Sequence, residues 1–521
     1  MADKAKGGKA KNPWIIAAVV GMAAFMEVLD ISIANVALLH ISGSLSSTPD
    51  ESTWILTSYL VTNAVILLMS GWLSTFFGRK RYFVMCIAGF GVSSFLCGMA
   101  PTLALLITFR ALQGLIGGGL QPVAQAILAD AFPPEKQGMA FSVYGLAVVF
   151  APAIGPTLGG WITDNYTWCW VFLINVPVSL ILTFLATSII SPDEEKKKKR
   201  GFSVDYIGFI LLSCGIGAMQ VVLDRGQIDD WFDARIIVVL TIVAALGLIS
   251  FVVWELITSN PLIDLSLLKN ANFAFGSIIM LIFGAVLLSS TVLLPEFGQE
   301  VLGYTATIAG ETISLGGIFL AMLMPIIGIL LTKVDTRLII GCGLIICILS
   351  LLFMTNFDQQ IDFWTIAQSR IFQCAGLGFL FIPINTLAFQ GIPKDKTNAA
   401  SAIINMMRNV GGSIGISLVT TVLERRQQVH QAYLTHNITA SSANYQSAIS
   451  HLQPYLLSHV GSSFDALQKT QAVLNRTIDQ QALVLAYLDD FQLLALIFLI
   501  MLPLLFFVKK PQPNKGQPRA D

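Results

Sequence analysis

The sequence predicts an all-α membrane protein with fourteen membrane-spanning helices, and three observations support this fold class. The 521 residues are 55% hydrophobic and only 12% charged, which is too few charges for a soluble chain of this length. The apolar residues form runs of about 20, each long enough to cross a hydrocarbon core of roughly 30 Å as a helix. The second part of the chain also repeats residues of the first part at a constant spacing.

The predicted spans follow one another through mostly short connections. Each is an apolar run that ends at charged residues, glycine or proline. A long connection separates only the last two spans. In order, the spans cover residues 14–39, 53–76, 81–99, 103–129, 137–163, 168–190, 204–223, 235–256, 272–294, 307–331, 338–355, 363–389, 398–423 and 488–508.

The distribution of lysine and arginine predicts that both termini are cytoplasmic. In this orientation most basic residues lie on inside segments, and only Arg225 and Arg235 lie on short outside loops. The lysine run at 196–199 is interpreted as an anchor of this topology. The balanced net charge of +0 excludes a generally basic surface for nucleic acid.

The constant spacing of the repeat is 260 residues and predicts two related halves. Arg110 and Gln113 recur as Arg370 and Gln373, and Gly155 recurs as Gly415. Parallel six-helix halves with a site near the membrane midplane are typical of secondary transporters. The predicted domains are an N-terminal half at 1–190, a charged linker with two inserted helices at 191–271, a C-terminal half at 272–508 that includes an outside loop at 424–487, and a cytoplasmic tail at 509–521.

Two short motifs stand out in the first half. R-A-L-Q-G at 110–114 places an arginine inside an apolar span, which costs several kcal/mol unless that arginine has a functional or structural partner. G-P-T-L-G-G at 155–160 removes side chains at Gly155, Gly159 and Gly160 and a backbone donor at Pro156. The second motif predicts close helix contact and a possible bend.

A resemblance to a known family rests on these motifs and four further segments: L-D-I-S-I-A-N-V-A-L at 29–38, the loop at 71–81, V-L-D-R-G at 222–226 and N-P-L-I-D-L at 260–265. Over nearly its whole length the chain resembles the fourteen-span drug:proton antiporters of the major facilitator superfamily, of the EmrB/QacA type.

The resemblance implies the major facilitator fold in a 6 + 2 + 6 arrangement and multidrug export across the bacterial inner membrane. It implies protons as the coupling ion, with no other cofactor. It also implies hydrophobic small-molecule substrates and assembly with an EmrA-like periplasmic membrane-fusion adaptor and an outer-membrane channel.

The chain departs from the family pattern at two places. The loop between spans 2 and 3 keeps the cytoplasmic gate pattern at Gly71, Gly78, Arg79 and Lys80, but Thr75 stands at the position of its aspartate. In span 1, the family pattern has threonine where this chain has Ser32 and proline where it has Leu39, and the pattern does not require the acid at Glu27.

Asp30 and Arg110 are the predicted proton-coupling residues. Counted from the outer ends of their spans at 1.5 Å per residue, both lie roughly 10 to 14 Å deep and can meet. Burial favours the protonated form of a carboxyl, whereas a nearby guanidinium favours the ionised form, so a moving arginine could switch proton binding. The alternative is a static ion pair that fixes helix packing.

Glu27 shares a helix face with Asp30 and is predicted to titrate with it as a coupled pair. It could carry a second proton or attract cationic drugs, or it could be a neutral packing residue hydrogen-bonded to a neighbouring span. The other polar residues of the spans have weaker indications. Asn35, Gln113, Gln121 and Asn385 are candidates for a substrate cavity or for polar helix contacts, and Arg370 and Arg408 are buried charges for which we expect mainly structural roles.

The segment at 424–487 alternates apolar and polar residues at helical spacing, which predicts amphipathic helices that contact the adaptor. Its histidines lack the spacing of a metal site, so no metal is predicted. An enzyme is not expected, since no predicted span contains histidine and the chain lacks a phosphate-binding G-x-x-x-x-G-K-[ST] motif. The alternatives are a proton-coupled metabolite transporter of the same fold and a transport-fold sensor or receptor.

Overall fold

The computed structural model describes residues 12–191, 205–258, 261–331, 333–389, 392–393, 396–436, 442–460 and 462–507. The lysine run at 196–199 and the predicted cytoplasmic tail at 509–521 lie outside the described residues. The described residues are almost entirely helical. The helices are α1 (Pro13–Ser44), α2 (Pro49–Phe77), α3 (Arg79–Gly98), α4 (Leu103–Gly117), α5 (Leu120–Ala131), α6 (Pro134–Asn165), α7 (Trp170–Leu173), α8 (Asn175–Ile189), α9 (Tyr206–Arg225), α10 (Arg235–Ile257), α11 (Ala271–Glu300), α12 (Ala306–Leu330), α13 (Thr336–Met354), α14 (Phe363–Phe389), α15 (Thr397–His436), α16 (Ala443–Val460) and α17 (Ser463–Met501).

Local sequence explains where α2 begins and ends. At its start, the Thr48 hydroxyl accepts from the backbone N–H of Glu51, and the Glu51 carboxylate accepts from the backbone N–H of Thr48, which is a complete capping box. At its end, Gly78 has φ +85°, a conformation that glycine adopts without steric cost. This residue lets the chain reverse directly into α3.

The membrane character of the fold is confirmed by its helices. Among the described residues, twelve helices are long and apolar enough to cross a membrane, or thirteen if the bent α6 counts as one span. The predicted span at 398–423 lies in α15, which is not among these helices. The full number of fourteen spans and the orientation of the termini therefore stay predictions.

The helix pairs of the first six spans recur in the last six. In the first half, α1 packs on α6, α2 on α4 and α3 on α4. In the second half, α11 packs on α15, α12 on α14 and α13 on α14, in the same order along the chain. The inserted helices α9 and α10 pack on each other, and α9 lies against α2. The repeat at a spacing of 260 residues thus corresponds to a repeated packing arrangement.

The two halves meet mainly along α6 with α12 and α2 with α15, and α5 also contacts α15 and α6 contacts α14. Glycine allows the backbones to approach at this interface. A Cβ at Gly310 of α12 would lie 2.8 Å from the backbone nitrogen of Thr157 in α6, and one at Gly71 of α2 would lie 3.3 Å from the Cα of Ala399 in α15. The motif residue Gly71 is therefore an interface residue between the halves.

The segment predicted as an outside loop at 424–487 is largely helical. Helix α15 continues to His436, α16 follows, and α17 starts at Ser463, well before the predicted last span. Helix α17 packs on both α15 and α16. The last two spans thus extend as helices beyond their apolar parts, in agreement with the helical spacing of this segment.

Candidate functional site

Asp30 of α1 and Arg110 of α4 form a fully buried ion pair. The Arg110 Nη1 donates to Asp30 Oδ2 at 2.6 Å, and both side chains are 0% exposed. The two residues that the depth argument places at one level are thus in direct contact. Because an isolated charge in this environment costs several kcal/mol, each side chain depends on the other.

Neutral polar side chains complete the surroundings of the Asp30 carboxylate. Its Oδ1 accepts from Asn175 Nδ2 at 2.7 Å and from Gln113 Nε2 at 3.2 Å. Gln113 also accepts from Arg110 at 2.7 Å and donates to Ser94 at 2.8 Å. Charge-assisted hydrogen bonds of this kind stabilise the ionised carboxylate. Both oxygens of the Asp30 carboxylate thus have hydrogen-bond partners.

The Arg110 guanidinium is covered by aromatic rings rather than by water. Its Cζ lies 4.3 Å from the ring centroid of Tyr59 and 5.4 Å from that of Phe172, and its Nε donates to the Ile55 carbonyl at 3.3 Å. Its Nη2 has no hydrogen-bond partner among the described residues. Gly114, the last residue of the R-A-L-Q-G motif, makes this approach possible, since a Cβ there would lie 2.4 Å from the Tyr59 carbonyl oxygen.

Glu27 belongs to a second network that touches the first at Tyr59. Its Oε1 accepts from Asn63 Nδ2 at 3.0 Å, and Asn63 also donates to the Tyr59 hydroxyl at 3.3 Å. Within the described part of the chain, its Oε2 has no hydrogen-bond partner although the side chain is buried. The two acids of α1 are therefore not bonded to each other, but Tyr59 links their networks.

The candidate cavity residues do not share one surface in this structure. Gln113 belongs to the Asp30 network, whereas Gln121 accepts from Arg408 and Asn385 accepts from Gln125 Nε2 at 3.2 Å. Asn35 is exposed. Gln125 also accepts from Asn405 at 2.7 Å, so these amides connect α5 of one half to α14 and α15 of the other. This polar network is part of the contact between the halves, and Arg408 is one of its members.

Arg370 has only neutral partners, in contrast to Arg110. Its Nη1 donates to Ser290 at 3.0 Å and to Gln373 at 2.6 Å, and its Nη2 donates to Thr291 at 3.0 Å. Ser290 is 260 residues after Asp30, so the second half keeps the arginine and the glutamine but has a hydroxyl in place of the acid. The buried ion pair therefore occurs in one half and not at its repeat position in the other.

The G-P-T-L-G-G motif forms the contact between α6 and α1. A Cβ at Gly155 would lie 2.1 Å from the Ser32 hydroxyl, and one at Gly159 would lie 3.2 Å from the Ile33 carbonyl oxygen. At Gly160 the nearest atom, in Thr307, would be 3.5 Å away, which leaves room for a Cβ. Of the three glycines, the first two are needed for the close approach of the helices.

The bend in α6 lies between Pro152 and Ile154, in the turn that precedes Pro156. The segments Lys136–Pro152 and Ile154–Asn165 are inclined by 44° to each other. A proline inside a helix lacks a donor and its ring clashes with the preceding turn, so both prolines weaken α6. A bend in this turn agrees with the motif, because Pro156 cannot donate to the carbonyl of Pro152.

The two basic residues of the gate pattern between α2 and α3 bond to partners outside that pattern. Arg79 forms a salt bridge with Asp130 at the end of α5, and Lys80 donates to the Thr187 carbonyl at 2.6 Å. Thr75, which replaces the family's aspartate, donates to the carbonyl of its own helix at Gly71 at 2.9 Å. Asp130 thus supplies an anion to the gate arginine.

Several residues that complete these sites are not predicted from the sequence. Asn175 and Ser94 have no sequence signal, because neutral polar residues in spans are common. Ser290 could have been found from the spacing of 260 residues. Tyr59 and Asn63, which join the two acids, likewise carry no distinctive pattern.

Comparison with known proteins gives the family. The model of the Major Facilitator Superfamily matches residues 20–416. The chain is 35% identical to the multidrug export protein EmrB of Escherichia coli (strain K12), over 95% of each chain. It is 34% identical to the fatty acid resistance protein FarB of Neisseria gonorrhoeae, over 95% of this chain and 96% of that protein.

A solved structure has the same fold. The human organic anion transporter MFSD10 (TETRAN) aligns with a TM-score of 0.60, over 95% of this chain and 99% of that one, at 11% sequence identity. At this identity the likeness concerns the fold alone. It confirms the major facilitator fold that the sequence predicts.

Proposed function

The chain belongs to the Major Facilitator Superfamily, and from that premise we propose that it is a proton-driven antiporter that exports hydrophobic compounds. It acts as a multi-pass protein of the bacterial inner membrane. The observation that carries this proposal is the Asp30–Arg110 pair, a carboxylate and a guanidinium buried together inside a bundle of membrane helices. Relatives are named for multidrug export and for fatty acid resistance, which supports hydrophobic small molecules as substrates.

Proton binding at Asp30 changes the charge balance of the site. The protonated carboxyl no longer attracts Arg110, which keeps its positive charge under all physiological conditions. Arg110 still has Gln113 as an acceptor and the Tyr59 ring as a neighbour, so it can separate from α1 without becoming an isolated charge. Protonation thereby loosens α1 from α4.

Contacts near Asp30 link this change to the interface between the halves. Two residues beyond Asp30, the Ser32 hydroxyl donates to the Pro152 carbonyl of α6 at 3.2 Å. On the same helix, Thr157 is hydrogen-bonded to Ser314 of α12 at 3.1 Å. A displacement of α1 therefore reaches α12 in the second half through α6, which is the coupling that alternating access requires.

Glu27 acts as a second carboxyl of α1. Its Oε2 has no hydrogen-bond partner among the described residues, so it can bind a proton or a cationic group. The link through Asn63 and Tyr59 connects its state to that of Arg110. We assign to Glu27 selection of cationic substrates rather than the main coupling step.

The extended helices of the last two spans support a tripartite assembly. Outside the predicted membrane spans, α15, α16 and α17 expose large apolar side chains, among them Val429, Tyr433, Tyr455 and Phe464. Exposed apolar groups outside the lipid indicate a protein partner. We assign this surface to a periplasmic membrane-fusion adaptor of the EmrA type, which connects the pump to an outer-membrane channel.

The experiment uses inverted membrane vesicles, in which an exporter accumulates its substrate. Respiration-driven uptake of a lipophilic cationic dye and of an anionic uncoupler is compared between wild type, Asp30→Asn and Glu27→Gln. We expect Asp30→Asn to abolish the uptake of both compounds and Glu27→Gln to reduce that of the cation. The control Asp358→Asn changes an exposed carboxylate and should leave uptake unchanged.

A metabolite transporter of the same fold would take up neither dye under any gradient, and a sensor would bind a compound without flux. Absence of energised uptake by the wild type, with adaptor supplied, would contradict the export proposal.

A further inference from the structure

A second buried carboxyl lies in the C-terminal half, far along the chain from Asp30. The Asp490 side chain of α17 is 0% exposed, and neither of its carboxylate oxygens has a hydrogen-bond partner among the described residues. Buried polar groups in proteins are nearly always hydrogen-bonded, so this side chain needs a specific explanation. Asp30, by contrast, has partners on both oxygens.

The charged neighbours of Asp490 are both acids. Glu296 of α11 and the adjacent Asp489 interact electrostatically with it. The nearby basic groups, Arg426 and His430 of α15, are bonded to Asp489 instead, with His430 Nε2 at 2.8 Å from its Oδ2. An ionised carboxylate without a cation or donor costs several kcal/mol in such surroundings. Asp490 therefore carries its own proton in this conformation.

Aromatic side chains flank Asp490 along α17. The adjacent Phe491 lies 5.9 Å from Phe357 and 6.5 Å from Phe297 between ring centroids, and Tyr487, one turn earlier in α17, lies 5.4 Å from Phe297. These four rings pack together where α11, α17 and the segment after α13 meet. The Asp490 carboxyl thus lies next to an aromatic cluster in the sequence of α17.

A line of acids connects this enclosed carboxyl to the surface. Glu296 and Glu300 are one turn apart on α11 and so share a helix face. Glu300 is exposed and accepts from the Tyr487 hydroxyl at 3.1 Å. In the predicted orientation this end of α11 faces the outside. Glu296 and Glu300 therefore form a path of titratable groups between Asp490 and the extracytoplasmic solution.

We infer that Asp490 and Glu296 form a proton-binding site of the C-terminal half that is distinct from Asp30 and loads from the outside through Glu300. The ligand is the proton, the same coupling ion as in the proposed function, and the inference rests on that function for its role in transport. At the repeat position of Asp30 the second half has Ser290, which cannot carry a proton in this way.

The test measures protonation directly and needs no transport. Infrared spectra of the purified full-length protein in lipid nanodiscs contain the C=O stretching band of protonated carboxyl groups. Asp490→Asn is expected to remove part of this band at neutral pH. The control Asp358→Asn changes an exposed carboxylate and should leave the band unchanged.

A second variant tests the neighbour and the path. Glu296→Gln should change the pH at which the Asp490 band disappears, because it removes a facing negative charge. Glu300→Gln should slow the response of the band to a pH step without changing its amplitude.

An unchanged band in Asp490→Asn would overturn the inference, since Asp490 would then be ionised. The readout is independent of export, so a failure of the proposed function in vesicles and a failure of this proton site are distinguishable.

Discussion

The Ser32 hydroxyl of α1 donates a hydrogen bond to the Pro152 carbonyl of α6 at 3.2 Å. In an unbroken helix this carbonyl would accept from the backbone N–H four residues later. That residue is Pro156, which has no N–H. The proline of the G-P-T-L-G-G motif thus frees an acceptor, and Ser32 satisfies it from the neighbouring helix.

Gly155→Ala is predicted to disrupt this contact. The new Cβ would lie 2.1 Å from the Ser32 hydroxyl, so α1 and α6 must separate, at a cost of about 1–3 kcal/mol. The melting temperature of the purified protein in detergent should fall. The double variant Gly155→Ala/Ser32→Gly removes the obstructing atom and should recover part of the loss.

Gly160→Ala is the matched control, because the nearest atom to its new Cβ would be 3.5 Å away. An equal loss of stability in Gly155→Ala and Gly160→Ala would contradict the assigned contact.

The losses of stability caused by Arg110→Gln and Arg370→Gln are predicted to depend differently on pH. Arg110→Gln leaves the Asp30 carboxylate buried without its cation, which costs about 3–5 kcal/mol while Asp30 is ionised. Arg370→Gln leaves hydroxyl and amide partners, and a cost of about 1–3 kcal/mol is expected. Thermal unfolding at several pH values measures both.

The defect of Arg110→Gln should lessen at acidic pH, because a protonated Asp30 needs no cation. The defect of Arg370→Gln should stay constant, since none of its hydrogen-bonding side chains is an acid. Parallel pH profiles for the two variants would show that the difference between the halves has no energetic effect.

The helical spans and the meeting of Asp30 with Arg110 were predictable because both follow from the cost of placing charge in lipid. That cost constrains the depth of every charged residue. It does not constrain neutral residues, so Asn175, which completes the Asp30 site, could not be predicted. The same limit applies to Tyr59.

Other features depend on long-range packing and left no local signal. The sequence shows both prolines of α6, but not that Ser32 of α1 donates to the carbonyl of Pro152. Ser290 differs, because the spacing of 260 residues marks it as the counterpart of Asp30 once the repeat is known. The proton-coupling roles of Asp30 and Glu27, and the domain boundaries, stay predictions.

Gly78→Ala is predicted to destabilise the turn between α2 and α3. With φ +85°, a Cβ at this position introduces strain of about 1–2 kcal/mol. The melting temperature should fall accordingly. Gly43→Ala is the control, since a Cβ there meets no atom within 4 Å, and it should be neutral or slightly stabilising. Equal effects of the two substitutions would contradict a conformational requirement at Gly78.

Asp264 lies in the connection between α10 and α11. Its ionised carboxylate is predicted to make a small, pH-dependent contribution to the free energy of unfolding. Partial burial alone would raise the pKa of its carboxyl, but hydrogen bonds from Lys396 and Ser266 and the charge of Lys396 hold that pKa below its usual range. The stabilisation is therefore present above the unfolded pKa of about 3.9 and is lost as the pH falls through the lower folded value.

The expected size is about 0–1 kcal/mol because the pair is partly exposed. Asp264→Asn should lower the melting temperature at pH 7 and have no effect once the wild-type carboxyl is protonated. A difference between Asp264→Asn and wild type that persists at the acid end would point to a cause other than the charge.

We propose that Asp30 couples protons to substrate movement, and proteoliposomes containing purified protein provide a test of this claim. Two activities of Asp30→Asn are compared with wild type: accumulation of a lipophilic cation driven by a pH gradient, and exchange of labelled for unlabelled cation without a gradient. We predict that Asp30→Asn loses accumulation and retains exchange, since an amide can keep the fold but cannot carry a proton. Gradient-driven accumulation by Asp30→Asn at the wild-type level would contradict the claim, and loss of both activities in a folded variant would identify a structural ion pair instead.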